Sequence, residues 1–385
     1  MKTIAFEQPS AAADCATLFV ALELSKSKWL VGIHLPASGK LSEHSIPGGD
    51  LGALLALIGK KRVQAEAASG RKVRVVSCFE AGFDGFWLHR ALSAHGIDNR
   101  VIDPASIPQP RKARRKKTDR LDLKGLLRLL MALERGESRA CQVVHVPMLE
   151  EEDERRRSRE RKRLVSERCQ HTNRIGGLLM THGIRGFVPR RKDWQKQLDG
   201  LRAWDGQPLP ARLKAEIARE CERLHLIIKQ IARVDAELKA AAKEPAPAGT
   251  AAGRIQSMCK LRGIGLTSAA SLEHEVYFRT FANRRQLGGY FGLGSSPWQS
   301  GSVARDQGIA KSGNPRARTL AIELAWLWLR HQPESALSRW FHAKVGEAKG
   351  RLRRIAVVAL ARKLMVALWR YLTMGVIPEG AVFNA

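Results

Sequence analysis

Two apolar runs of strand length, residues 17–24 (TLFVALEL) and 29–35 (WLVGIHL), are separated only by the turn at 25–28. That spacing makes an antiparallel hairpin the simplest way for the fold to begin. Residues 41–46 extend it by a third strand, and 51–68 has the pattern of a helix. Residues 72–79 (KVRVVSCF) form a buried strand that ends at Glu80. Gly82 and Gly85 loosen the chain before a helix at 86–94, and 100–102 is a short last strand. From Thr118 onward, Leu121, Leu123, Leu126, Leu127 and Leu130 recur at helical spacing. Strands and helices in this order predict an α/β domain over residues 15–145, with helices against a mixed sheet.

The helix that starts at Thr118 carries Asp119 and Asp122 three residues apart, hence on one face. Carboxylates so placed repel each other, a cost usually offset by a cation or by nearby arginines and lysines. A basic run bearing Arg111, Arg114, Arg115, Lys116 and Lys117 comes immediately before them and suits phosphate. Mg2+, a hard ion that prefers oxygen ligands and often brings phosphates with it, suits the acids. The alternative is a solvated helix start whose aspartates complement the helix dipole. Glu23 and Glu80 stand near the ends of two predicted strands, where ligands sit in such sheets. Alone, Glu23 is equally a surface residue before a turn. With Asp119 and Asp122, the two glutamates complete the ligand set of a two-metal phosphodiester site. Asp84 and Asp103 belong instead to turns.

The balance of 66 Lys plus Arg against 37 Asp plus Glu gives a net charge of +29. A field of that sign calls for a polyanion, with nucleic acid the first candidate. The most apolar segment, 355–372, is broken by Arg362, Lys363 and Arg370, so a membrane partner is not expected. Acids interrupt the first apolar stretch, which argues against a secretory signal and for a cytoplasmic protein. Six scattered cysteines without a Cys-x-x-Cys pair argue for reduced thiols and against zinc.

Residues 146–253 predict a helical, coiled-coil-like middle. A charged helix over 148–176 is followed by apolar residues in heptad spacing at Ile217, Cys221, Leu224, Ile228, Ile231 and Leu238, interrupted by Asp235. An antiparallel helical hairpin would serve either as an arm within the chain or as a dimer contact. The segment EPAPAGTAAG at 244–253 is a linker.

Residues 254–385 predict a mainly α domain. Gly263 and Gly265, in LRGIGLTSAA, form the turn of a helix-hairpin-helix-like element whose backbone N–H groups can hold a phosphate. In KSGNPRAR, Asn314 is an N-cap and Pro315 the first helical residue. Lys311, Arg316 and Arg318 beside that helix start make a second phosphate site. Trp326 and Trp328, farther along the same helix, are expected in the core. Between the two elements lies the Ser/Gly-rich stretch GLGSSPWQSG, a loop in which Ser300 can present a nucleophilic hydroxyl. By chemistry alone Ser295, Ser296, Ser302 and Ser312 compete with it.

Taken together, the motifs ALELSKSKW, CFEAGFDGFWLHRAL and KKTDRLDLKGLL, followed by LRGIGLTSAA, FANRRQLGGYFGLGSSPWQSG and GIAKSGNPRARTLAIELAW, resemble a known family over nearly the whole chain. It is that of the DEDD-type transposases of the insertion-sequence one-hundred-and-ten family, one-thousand-one-hundred-and-eleven subgroup. The resemblance implies an α/β RuvC-like, ribonuclease-H-type first domain with Glu23, Glu80, Asp119 and Asp122 as its acidic tetrad on Mg2+. It also implies a C-terminal transposase domain with Ser300 as nucleophile. Expected partners are double-stranded donor and target DNA, a structured guide RNA encoded by the element, and further copies of the chain as a homodimer or tetramer. The expected setting is the bacterial cytoplasm, at the nucleoid. Two departures stand out: Glu23 replaces the usual Asp, and Ser312 is a serine where many relatives carry another residue. Other readings of the residues are a hydrolytic or junction-resolving enzyme that uses water at the same acids, and a non-catalytic nucleic-acid scaffold.

The charge excess predicts that affinity for DNA falls roughly tenfold or more between 50 and 200 mM salt, through counterion release. A titration that stays flat over that range would rule out the phosphate-binding role of the basic segments.

Overall fold

A computed structural model describes residues 16–35, 39–108, 118–247, 249–301 and 303–384. The basic-run residues Arg111, Arg114, Arg115, Lys116 and Lys117, and also Ser302, lie outside the described residues. The chain divides into two compact units, 1–146 and 147–385.

In the first unit, β1 (Ala16–Leu24), β2 (Lys28–Leu35) and β3 (Lys40–Pro47) form an antiparallel meander. After α1 (Leu51–Ser69), β4 (Val73–Glu80) returns parallel to β1. Beyond α2 (Trp87–Ala94), β5 (Asp98–Ile102) lies parallel to β4. The mixed five-stranded sheet has the order β3-β2-β1-β4-β5. Alternation along the strands separates its two faces. Leu18, Val20, Leu22, Val75 and Phe79 pack in one core with Leu54 and Ile58 of α1 and Leu88 and Leu92 of α2. Phe19, Ala21, Val76 and Cys78 face the other way and are covered by α3 (Asp119–Glu134) through Leu123, Leu126, Leu127 and Leu130.

Gly32 of β2 lies under α3. A Cβ there would come within 2.9 Å of Leu123 and 3.1 Å of Leu127, so the bare backbone permits the close approach of helix to sheet. Two further contacts fix the helix direction: Arg74 of β4 pairs with Glu134, and the Cys78 thiol reaches the Leu126 carbonyl at 3.6 Å. Four residues of strand and eight of helix cover nearly the same distance, about 13 Å and about 12 Å. The helix therefore runs antiparallel to β4, with its N-terminus toward the strand end at Glu80.

The second unit is largely helical. α4 (Leu149–Met180) pairs with α6 (Ala211–Ala241), with the short α5 (Trp194–Gly200) between them. Arg161 binds Asp235 at 2.5 Å and His171 binds Glu220 at 2.5 Å, a pattern that makes the pair antiparallel. The expected helical hairpin is present, with a shifted stripe. Ile227 and Val234 are buried with Ile231 and Leu164, while Asp235, which interrupts the heptad, is the acid that Arg161 uses. These two helices pack within the same unit as the C-terminal helices.

α7 (Ala251–Lys260) and α8 (Leu266–Leu272) flank the predicted Gly263–Gly265 turn, and a wide, π-type turn follows at Glu273–Tyr277. Then come α9 (Arg284–Tyr290), strands β6 (Ser295–Ser300) and β7 (Val303–Ile309), α10 (Pro315–His331), α11 (Ala336–Val345) and α12 (Arg351–Met374). Their core includes Met258, Leu261, Trp328, Leu360 and Leu364. Trp328 is buried as expected, whereas Trp326 is 40% exposed. Two positions along a helix are about 200° apart, so both indoles cannot face one core.

Gly32→Val should lower the stability of the first unit by about 1–3 kcal/mol, because branched carbons would push Leu123 and Leu127 off the sheet. The denaturation midpoint by urea checks this, and an unchanged midpoint would mean that α3 does not seat on β2 as described.

Candidate active site

The parallel register of β1 with β4 matches Leu22 to Phe79. One step farther places Glu23 beside Glu80, at the C-terminal ends of neighbouring strands. Glu23 continues the alternation of Phe19 and Ala21, and Glu80 that of Val76 and Cys78, so both glutamates belong to the face that α3 covers. The first turn of α3 supplies Asp119 and Asp122, and Thr118 caps it by accepting the Leu121 N–H at 3.4 Å. Glu23, Glu80 and Asp122 are half-buried and Asp119 is exposed. One carboxylate oxygen of Glu23 is closed off from solvent.

The donors are hard oxygens on one face, the chemistry Mg2+ prefers. Among the described residues, no three His, Cys, Asp or Glu side chains converge closely enough to hold a metal ion as they stand. The elements thus bring the four acids to one region of the first unit without drawing them into a finished cage. Burial raises the carboxyl of nearby Asp84, in the loop after Glu80, above its usual range.

An acid that sequence reasoning passed over is Glu43 of β3. It receives Arg120 at 3.2 Å and Lys124 at 3.4 Å, both from α3, and lines with Asp119 a hollow of about 330 Å³. The signal available was the alternation of β3, which puts Glu43 across from Gly32 and so beneath α3.

Ser300 lies in the second unit. The stretch expected to be a loop is a β-hairpin: Trp298 pairs with Arg305 and Ser300 with Val303, and Gly301 takes the left-handed conformation at the tip. Strand-forming Trp298, Val303 and Ile309 stand on either side of Gly301, a pattern that the Ser/Gly content obscured. Ser300 is exposed at the end of β6. The Arg305 guanidinium stacks 4.6 Å from the centre of the Trp298 ring, a contact between the two strands.

The predicted phosphate sites are built differently from expectation. Asn314 does cap α10, and its side chain thereby takes the Arg316 and Ala317 N–H groups, at 3.0 and 3.2 Å, that had been assigned to phosphate. The Arg318 guanidinium turns onto the carbonyls of Phe291, Lys311 and Ser312. Lys311 is exposed, with a positive φ of 57°. Gly263 has φ 92° and lies against His331, where a Cβ would approach within 2.8 Å. Close packing is thus one reason for a glycine at that turn. Gly265 is the N-cap of α8.

Beneath the Asn314 turn is a buried polar network that no sequence motif announced. Arg159 of α4 grips Glu275 with two hydrogen bonds of 2.7 and 3.0 Å, and Asn314 donates to the same carboxylate at 3.1 Å. Burial acts to raise the Glu275 carboxyl, but Arg159 outweighs it and holds the group below the ordinary range. Beside it, burial together with Arg157 and Arg155 lowers His274 to about 4.

Residues 256–339 match the model of the family described as "Transposase IS116/IS110/IS902 family". The chain is 48% identical to a putative transposase, y4rJ, of Sinorhizobium fredii, over 96% of each chain. It is 30% identical to the transposase for insertion sequence element IS1111A of Coxiella burnetii, over 81% of this chain and 82% of the relative. A second Sinorhizobium fredii protein, the putative transposase y4qE, is 28% identical over 94% of this chain. The protein is therefore a transposase, an enzyme that cleaves and transfers DNA. It belongs to the IS116/IS110/IS902 family.

The buried His274 gives a pH dependence whose sign is fixed. Its folded value of about 4 lies below the unfolded 6.5, so the unfolded chain binds the extra proton first. Stability is full above about 6.5 and falls as pH drops toward 4, by on the order of 3 kcal/mol. Melting temperatures measured across this range should drop steeply for the parent and less for His274→Gln, which cannot be protonated. Parallel curves would remove His274 as the cause.

Proposed function

We propose that this transposase excises and inserts its element as an RNA-guided recombinase, using Glu23, Glu80, Asp119 and Asp122 as Mg2+ ligands and Ser300 as nucleophile. The observation that carries the reading is the register of β1 on β4, which sets Glu23 beside Glu80 on the face where α3 begins with Asp119 and Asp122. The strand order is the one a RuvC-like, ribonuclease-H-type domain needs. Bound Mg2+ would stabilise negative charge developing on the phosphate.

The Ser300 oxygen attacks phosphorus and forms a phosphoester to the protein, the P–O bond to one DNA strand end breaks, and the serine proton passes to the departing oxygen. Exchange is completed when a hydroxyl of the other DNA end attacks the phosphoserine link and restores the serine. Exposure of Ser300 at the end of β6 suits an attack on a large substrate. Donor and target duplexes and a structured guide RNA suit the net charge of +29. The α4–α6 arm is the proposed contact for a homodimer or tetramer. Glu23, longer by a methylene than the Asp usual at its position, keeps the charge and carries its oxygens farther from the strand.

A second reading is favoured by one observation: Ser300 directly precedes Gly301, which takes the left-handed conformation of a turn, a neighbourhood where serine is an ordinary residue. Water would then be the nucleophile at the same acids, as in a junction resolvase.

Ser300→Ala should keep folding and DNA binding yet form no protein–DNA adduct on a denaturing gel. Asp119→Asn and Asp122→Asn should each reduce strand exchange at least a hundredfold while binding persists, since neutral amides are poor Mg2+ ligands. Recombination by Ser300→Ala would replace serine with water. Near-parent exchange by either aspartate variant would overturn the acidic site.

A further inference from the structure

A groove of about 910 Å³ runs along α12 in the second unit, a helix that lies beyond the end of the family model at residue 339, and its opposite wall comes from residues within that model. Its charge is of one sign. Arg351, Arg354, Arg362 and Arg370 project from α12, Arg284 and Arg285 face them from α9, and Lys363 adds a seventh cation; among the described residues no acid lines it. Among the described residues none of the seven has an acidic partner. Their only charge-related contact is that of Lys363, which sits 4.6 Å from the centre of the Trp340 ring. The floor between the cations is aliphatic, with Ile355, Val358, Ala359 and Val366 from α12 and Leu293 and Ile309 opposite. Ile355 is 55% exposed and Arg351, Arg354 and Arg370 are exposed, so the groove is open to a partner.

We infer that this groove holds an unpaired strand of DNA, phosphates on the arginine rims and base and deoxyribose surfaces on the aliphatic floor. Seven cations without an acid select a polyanion. A duplex offers its phosphates outward and keeps its base faces stacked inside, so it cannot cover the floor. An unpaired strand can do both at once. RNA fits less well, because each ribose hydroxyl turned toward the floor would lose water against Leu, Ile and Val and gain no hydrogen bond. From Arg351 to Arg370 the helix rises about 29 Å, room for on the order of eight stacked nucleotides.

The groove also adjoins the serine hairpin. Ser295 and Ile309, which pair at the base of β6 and β7, line it, and Ser300 lies about 17 Å away along β6. A strand freed when the duplex opens would be held beside the hairpin while its complement reacts. This inference rests on DNA being the substrate of the transposase and needs neither the acidic tetrad nor Ser300.

The test measures binding of the full chain in EDTA, which separates it from any failure of the metal or serine chemistry. The probes are a labelled oligothymidylate of about twelve nucleotides, an oligouridylate of the same length and a duplex of the same length. In the double variant Arg354→Gln/Arg370→Gln, oligothymidylate affinity should fall roughly tenfold or more, and the slope of its salt dependence should decrease by about 1.4, two contacts at 0.7 each. Ile355→Asp should weaken oligothymidylate and leave the duplex nearly unchanged. Should the double variant melt early, Arg354→Gln alone should show half the slope change. Parent-like binding by every variant would overturn the inference. So would an equal loss for duplex, which would mean a general phosphate surface, or a larger loss for oligouridylate, which would mean an RNA groove. A change of oligomeric mass in the double variant would assign the groove to a second copy and overturn it as well.

Discussion

The first unit depends on one packing interaction, the seating of α3 on the sheet through Leu123, Leu126, Leu127 and Leu130. A helix held by four buried leucines over Phe19, Ala21, Val76 and Cys78 has little freedom to slide, because interdigitated side chains do not deform continuously. Its first turn must then emerge near the ends of β1 and β4. The position of Asp119 and Asp122 relative to Glu23 and Glu80 is thus a result of apolar packing, although the residues themselves are acids. Gly32 completes the arrangement by leaving out a side chain where the helix comes closest.

Much of this was legible in the sequence. Continuous apolar runs located β1, β2 and β4 almost to the residue because these strands have a core on each face of the sheet, and the helical spacing of Leu123, Leu126, Leu127 and Leu130 located α3, which is buried on one face. Asn314 followed by Pro315 gave the start of α10 because cap chemistry is local. The β6–β7 hairpin was hidden: its strands are short, exposed and rich in Ser and Gly, so neither burial nor propensity marks them. The stripe on α6 drifted from Ile228 to Ile227 because a helix of 3.6 residues per turn does not hold an exact heptad, and because Arg161 on α4 gives Asp235 a partner in place. The four acids could be grouped from sequence only through strand ends. That they fall short of a closed cluster is a matter of side-chain geometry, which spacing does not encode.

In the second unit, local chemistry again serves structure before function. Arg318, Gly263 and the helix start that Asn314 caps each looked like part of a phosphate site. Two of the helix N–H groups are met by Asn314, Arg318 ties down the preceding turn, and Gly263 makes room for His331. The charges left over for a partner stand elsewhere, on the arginine-bearing face of α12. Basic residues in a transposase therefore have to be sorted by what they already touch before any is assigned to DNA.

The β6–β7 ribbon has only two strands, and most of its residues are exposed. Such a ribbon resists bending weakly, because a lone pair of strands lacks the second layer that makes a sheet rigid. On the proposed chemistry, its tip would be aligned by the bound duplex rather than in advance. Idle enzyme would then be a poor nuclease, and damage to the host chromosome between transposition events would be held down by the softness of the very tongue that carries the reactive hydroxyl.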